Sequence, residues 1–422
     1  MRFSDYLDAE WKPALGCTEP AAVAHAATLA AGQGEGAVRE VCLRLDARTY
    51  KNCHAVGIPN SGHRTGILWA LALGAELRDP TLGLRCFEAV TPEVIAAAGA
   101  LIQAQALRVE VEAECPDLLI DCTVVREVGM GRAVLAREHT RLVRLEKDGA
   151  PVGGLGGDSE SAPETPDVRA ELAALSIHDL MAMARSIGPE DRARLREGAA
   201  FNLAMALHGI RLMPDGFVPP EGQEPLTRIS RLVSAGVYAR MSGEPLMVVS
   251  LAGSGNKGIT VSVPLLLWGR EKGFPQAQID EALAFACLMT STTTHRLGTL
   301  SSICGAANAA GIGVASGLVL LEGGTPAQVD LAIHNMVGNL AGMICDGAKI
   351  GCAMKTMTGA DAAFRSATLA LAGFGIPATD GIVGEDGEAS LANLGRLAQR
   401  GMAGVDTEVL AIMQGKLARP AA

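Results

Sequence analysis

Aromatic residues are scarce in this chain, with 3 Trp, 3 Tyr and 8 Phe among 422 residues. That scarcity excludes an aromatic-filled β-sandwich core. Hydrophobic residues still reach 49% and glycines number 50, so the core must be built from small aliphatic side chains that let helices approach closely. No Lys/Arg block of five or more occurs, and net charge is −10 with a pI near 5.4. Nucleic acid and anionic membrane surfaces are therefore excluded as partners. The sequence contains no HExxH, GxSxG, CxxC or GxxxxGK[ST], which removes zincin, α/β-hydrolase, thioredoxin-like and P-loop chemistry.

A continuous apolar core is missing from the first 16 residues, which also carry acids, so no signal peptide is expected there. Leu297 to Leu321 holds no charged residue over a length that could span a bilayer. Its Asn308, its Ser/Thr content and its glycines instead favour a buried central helix, bent or broken by Gly. Ten cysteines without an export signal point to a reducing, cytoplasmic compartment. Free thiols are then the rule, and clustered ones become metal-binding or catalytic candidates.

The periodicity predicts an α+β protein with a mostly helical Ala/Gly-rich catalytic domain and a smaller inserted α+β domain. Residues 3–16 read as a short amphipathic helix. Thr18 and Pro20 signal a second helix start, with the apolar run 21–31 as its body. Segment 1–35 is expected to pack on the helical domain. Residues 36–150 alternate strands and helices as the α+β domain, with Val41, Leu43 and Leu45 on one face of a strand and further strands at 118–126, 132–137 and 141–146. A Gly/Pro/acid linker follows at 149–167. From 165 to 422 the pattern is helical, including helices at 258–271, 299–320, 326–345 and 359–373.

Four constellations and one single thiol could carry chemistry. Cys304, Cys345 and Cys352 lie in a segment of Gly, Ala, Ser, Thr and Asn. They either ligate a metal cluster or are buried core thiols, at home in such packing. Seven positions separate Cys345 from Cys352, about 10 Å on a continuous helix. Gly347 and Gly351 offer a way to break that helix. Gly253, Ser254, Gly255 and Asn256 with Lys257 form a small-residue loop opening a helix near Ile259, suited to a carboxylate or serving as a plain turn. The loop 51–66 brings Asn52, His54, Ser61 and His63 together, as a ligand loop or a solvated connection. Arg296, beside His295, could clamp a carboxylate. Cys17, at a helix start where the dipole favours a thiolate, is either a reactive thiol or a small buried residue.

These residues carry a resemblance. LGCTEPAAVA (15–24), KNCHAVGIPNSG (51–62), AGSGNKGI (252–259), THRLGTLSSICGAA (294–307) and HNMVGNLAGMICDGAKIGCAMK (334–355) together resemble the L-cysteine desulfidase family, related to the α-subunit of iron–sulfur L-serine dehydratases. The resemblance runs through nearly the whole chain, although Cys53–His54 departs from the usual pattern.

It implies β-elimination of L-cysteine to sulfide, ammonia and pyruvate without pyridoxal phosphate, or L-serine deamination at the same centre. Cys304, Cys345 and Cys352 would hold a [4Fe–4S] cluster with one iron free for substrate, and Cys17 matches the family's additional cysteine. On this basis Cys17 is the first choice for the base and His54 the second, with Lys257 beside the loop that takes the substrate carboxylate. Asn52, Ser61 and Arg296 complete the expected substrate contacts. The partner is a small amino acid, with a homo-oligomer left open. A cluster-binding protein without turnover is the alternative from another class.

Overall fold

The computed structural model describes residues 1–112, 115, 117–153, 167–298 and 301–417. It is an α+β structure. The chain opens with α1 (Phe3–Glu10), β1 (Trp11–Leu15) and α2 (Thr18–Ala31). There follow β2 (Glu35–Asp46), α3 (Ala47–Cys53), α4 (Ile67–Glu76) and α5 (Pro92–Gln103). Strands β3 (Leu107–Glu112), β4 (Leu119–Val128), β5 (Met130–Ala136), β6 (Leu142–Lys147) and β7 (Ala150–Pro151) complete the sheet. Next come α6 (Val168–Ala173), α7 (Ile177–Arg185), α8 (Pro189–Gly209), α9 (Pro225–Met241), β8 (Met247–Leu251) and α10 (Gly255–Glu271). The last helices are α11 (Gln276–Leu297), α12 (Asn308–Leu321), α13 (Pro326–Leu340), α14 (Cys352–Leu371), α15 (Gly387–Arg396) and α16 (Ala403–Leu417).

The sheet order is β3-β2-β4-β5-β6-β7. Among the described residues only β2 and β3 run parallel, with Val41 opposite Leu107, because helices α3 to α5 supply the long crossover that parallel pairing needs. The remaining pairs are antiparallel: β4 returns beside β2 after the long excursion through α3 to β3, and hairpins join β4 to β5, β5 to β6 and β6 to β7. The inward residues Val41, Leu43 and Leu45 meet Ala21, Ala24 and Ala27 of α2 and Leu71 of α4 in one core. A larger core gathers α1, α7 and α11 to α15.

Segment 1–35 therefore does not pack as one unit. Phe3, Tyr6, Leu7 and Trp11 join the helical core, whereas α2 joins the sheet core, and the change falls at the turn through Gly16. The expected helix 3–16 stops at Glu10, since residues 11–15 pair antiparallel with β8, Trp11 opposite Leu251. That ribbon joins segments over 230 positions apart, beyond the reach of local periodicity. The C-terminal α16 returns to the sheet core through Val409 and Met413.

Several helix limits also shift. The loop expected at 51–66 starts later, because Asp46 caps α3 by accepting from Arg48 N and Thr49 N, which makes Asn52 helical. Helix α10 begins at Gly255 rather than near Ile259, with Ser254 as its N-cap. The expected helix 299–320 begins at Asn308, and the helix 326–345 ends at Leu340. The helix expected at 359–373 begins earlier, at Cys352. Most of the linker at 149–167, residues 299–300 and the chain end from 418 lie outside the described residues.

Helix α12 is buried along its whole length, which accounts for the charge-free run. No single helix among the described residues is long and apolar enough to cross a membrane. Its glycines set the packing: a Cβ on Gly313 would lie 2.1 Å from Thr290 Oγ1 and 2.6 Å from Ala286 O of α11. Gly313→Ala must push α11 and α12 apart, and should lower unfolding stability by about 1–3 kcal/mol, read as a shift of the denaturation midpoint at unchanged slope.

Candidate active site

A cavity of about 800 Å³ lies where the two cores meet. Its wall brings together Cys17, Asn52, Gly253, Ser254, Asn256, Lys257, Cys304, Cys345 and Cys352. Nine residues from five separated segments thus converge on one space.

The three late cysteines arrive from loops and a helix start, not from continuous helices. Cys304 N donates to Met343 O at 2.9 Å and Cys345 N donates to Ser302 O at 2.7 Å, an antiparallel bridge centred on Ile303 and Ile344. This bridge replaces the helical turns expected there and sets two thiol-bearing segments side by side. Gly347, at φ +91°, then turns the chain; a Cβ there would meet Lys51 O at 2.0 Å, so no other residue fits. Cys352 follows as the first residue of α14.

Lys51 holds this loop from beneath. Buried to 2% exposure, its Nζ donates to Cys345 O at 3.3 Å and pairs with Asp406 of α16 at 2.6 Å. Asp346 is gripped by Lys349 and Lys355. Their hydrogen bonds outweigh the burial that opposes ionisation and hold its carboxyl below the usual range.

The electrostatics of the wall are distinctive. Burial pushes the Cys304 thiol up to about 12, and charge on Cys345 and Cys352 makes it harder still to ionise. Burial raises Cys352 as well. Three thiols on one wall form a donor set suited to a multi-iron cluster, which takes thiolates and spreads them over different irons. The residues present fit that group. No three metal-binding side chains among the described residues are gathered to the spacing of a single ion. Lys257 is buried, with Nζ donating to Ala252 O at 3.1 Å. Burial lowers it to about 7, with Arg169 adding to the effect.

Cys17 does not behave as its helix-start position suggested. It is the N-cap residue of α2, but burial and then the neighbouring Glu19 push its thiol up to about 12. It donates to Glu19 Oε2 at 3.4 Å, and Asn52 Nδ2 donates to Glu19 Oε1 at 3.0 Å. Desolvation and a carboxylate outweigh the dipole here.

Three expected contacts are not brought to the cavity. Ser61 turns its hydroxyl onto Ile58 O at 2.7 Å and stabilises its own loop. His54 stacks on Tyr50, ring centroids 5.5 Å apart, with burial lowering its pKa. Arg296 donates to Ala173 O at 3.0 Å, docking α6. Gly255 lies one residue back from the wall as the start of α10.

Other wall residues carry no sequence signal. Glu10 accepts from Arg169 Nε at 2.9 Å and from Ser291 Oγ at 3.2 Å. Arg240 and His139 also line the space. They are single charges in unrelated segments, and nothing local marks them.

A family model described as the serine dehydratase alpha chain matches residues 121–411, and the chain belongs to that family. Over its whole length it is similar to UPF0597 proteins: one from Nitratidesulfovibrio vulgaris is 36% identical, covering 98% of this chain and 99% of the relative. Another from Oleidesulfovibrio alaskensis is 38% identical over 98% of both chains. A third, from Geobacter sulfurreducens, is 35% identical over 98% of both. The matched region includes Lys257 and the three late cysteines, while Cys17, Glu19 and Asn52 precede it.

Lys51→Met should free the Cys345–Gly347 turn, a local loss of about 1–3 kcal/mol. Hydrogen exchange of residues 341–351 should then speed up while the sheet core stays protected.

Proposed function

We propose that this protein is an iron–sulfur-dependent lyase that eliminates the β-substituent of a small L-amino acid, with L-cysteine the first substrate. The observation that carries this reading is the convergence of Cys304, Cys345 and Cys352 on one cavity with the buried Lys257. Cys304, Cys345 and Cys352 would hold a [4Fe–4S] cluster, whose chemistry is a Lewis-acidic iron that improves the β-leaving group.

The chain's own residues do the remaining work. Lys257 is a better base than Cys17 or His54, since its pKa of about 7 leaves an amine able to take the α-proton near neutral pH. Its position beside Gly305, where a Cβ would lie 3.1 Å from Lys257 Cε, keeps the amine next to the Cys304 turn. The Gly253–Asn256 turn holds the substrate's polar end. Loss of the α-proton and the β-substituent gives an aminoacrylate, which tautomerises and hydrolyses to pyruvate and ammonia. L-Serine deamination is the second reading, favoured by the serine dehydratase match.

Anaerobic incubation of iron-reconstituted protein with L-cysteine and with L-serine, assaying pyruvate, sulfide and ammonia, tests the assignment. Pyruvate from L-cysteine with equimolar sulfide is expected; sulfide without pyruvate, or no product from either amino acid, sinks it. Each of Cys304→Ala, Cys345→Ala and Cys352→Ala should bleach the broad iron–sulfur absorbance and abolish turnover.

Lys257→Met should retain iron and lower kcat by roughly 100- to 10,000-fold. In the parent enzyme kcat should rise with pH through a limb near 7, because the base works only once it has lost its proton. A flat profile from pH 6 to 9 would remove Lys257 from this role.

A further inference from the structure

Three cations that face the cavity are fully buried: Lys51, Arg240 and Lys257. Lys51 has Asp406 as its counter-ion. Lys257 can shed its charge by losing a proton. Arg240 has neither escape, because a guanidinium stays protonated.

Its hydrogen bonds go to neutral acceptors, Nη1 to Asn256 Oδ1 at 2.9 Å and Nη2 to Gly16 O at 2.7 Å. Nε has no partner among the described residues. No carboxylate among the described residues forms an ion pair with it. Of the acids lining the same cavity, Glu10 is paired with Arg169, and Glu19 accepts one hydrogen bond on each oxygen, from Asn52 and from Cys17. A permanent charge, 2% exposed and without a counter-ion, is costly unless an anion visits.

The surroundings are shaped for one. A Cβ at Gly255 would lie 2.4 Å from Arg240 Nε, so glycine at the first position of α10 is what lets the guanidinium lie against the helix start. Ser254 makes no side-chain cap bond, which leaves the leading amides of α10 unclaimed by a capping side chain. A guanidinium beside the positive end of a 17-residue helix matches a carboxylate in charge and in donor geometry.

We propose that Arg240, with the leading amides of α10, is the anchor for the α-carboxylate of the substrate, and so decides between amino acids and simple amines. This rests on the β-elimination reading above. Lys257 and the three cysteines are then left to the reacting carbons, and the loop of residues 253–256 acts through the helix it opens.

L-Alanine has no β-leaving group, and L-alaninamide lacks the carboxylate as well, so the pair isolates this contact. Their dissociation constants are measured by calorimetry on the cluster-loaded full chain. The parent enzyme should prefer L-alanine. Arg240→Met should weaken L-alanine by roughly 10- to 100-fold, as loss of a charge-assisted contact does, and leave L-alaninamide within about twofold, so that the preference disappears. Arg240→Lys keeps the charge without the fork, and should recover part of the preference; it carries the comparison if Arg240→Met does not fold.

Equal weakening of both probes, or an unchanged affinity for L-alanine, overturns the assignment of Arg240 while leaving the lyase intact if pyruvate still forms. A parent enzyme that binds neither probe and makes no pyruvate overturns both.

Discussion

Two backbone hydrogen bonds organise this molecule's chemistry: Cys304 N to Met343 O and Cys345 N to Ser302 O. They tie the segment before α12 to the segment after α13 and place two thiols at one wall. Everything beneath them serves to keep that bridge in place. Lys51 fastens the Cys345 carbonyl, Asp406 of the last helix neutralises Lys51, and Gly347 turns the chain without a side chain in the way. The sheet core matters to the site because α3, which carries Lys51 and Asn52, follows directly from its strand β2.

Charge is apportioned around the cavity with little left over. Glu10 pairs with Arg169 and Asp346 with Lys349 and Lys355, while Glu19 accepts hydrogen bonds from the uncharged Asn52 and Cys17. Against that background, Cys304 and Cys352 are held protonated by burial, and Arg240 is a guanidinium with no ion-pair partner among the described residues. A low-dielectric wall magnifies both imbalances. Under the proposed lyase function they are complementary to a metal cluster and to a substrate carboxylate.

Much of the architecture was legible in the residue pattern. The α+β class followed from alternation at Val41, Leu43 and Leu45 and from the helical period beyond the linker. The charge-free run around α12 was correctly a buried helix, betrayed by its Gly and Asn content. The three cysteines stood out because little else in their segment could hold a ligand. Local limits were less legible. Asp46 as a cap, the bridge at Ile303 and the strand at residues 11–15 each depend on partners distant in sequence, and periodicity within a short window carries no information about them.

The sequence by itself determined the classes of structure and the inventory of reactive groups, since side-chain spacing sets which faces are apolar and which residue types can carry chemistry. Tertiary structure decided which of those groups meet. It withdrew Ser61, His54 and Arg296 into structural contacts, raised the Cys17 thiol where the local helix start favoured lowering it, and brought Arg169, Arg240, Glu10 and Glu19 to the cavity. The physical reason is that burial and through-space charge depend on neighbours supplied by other segments, whereas helix dipoles and turn signals are properties of the segment alone.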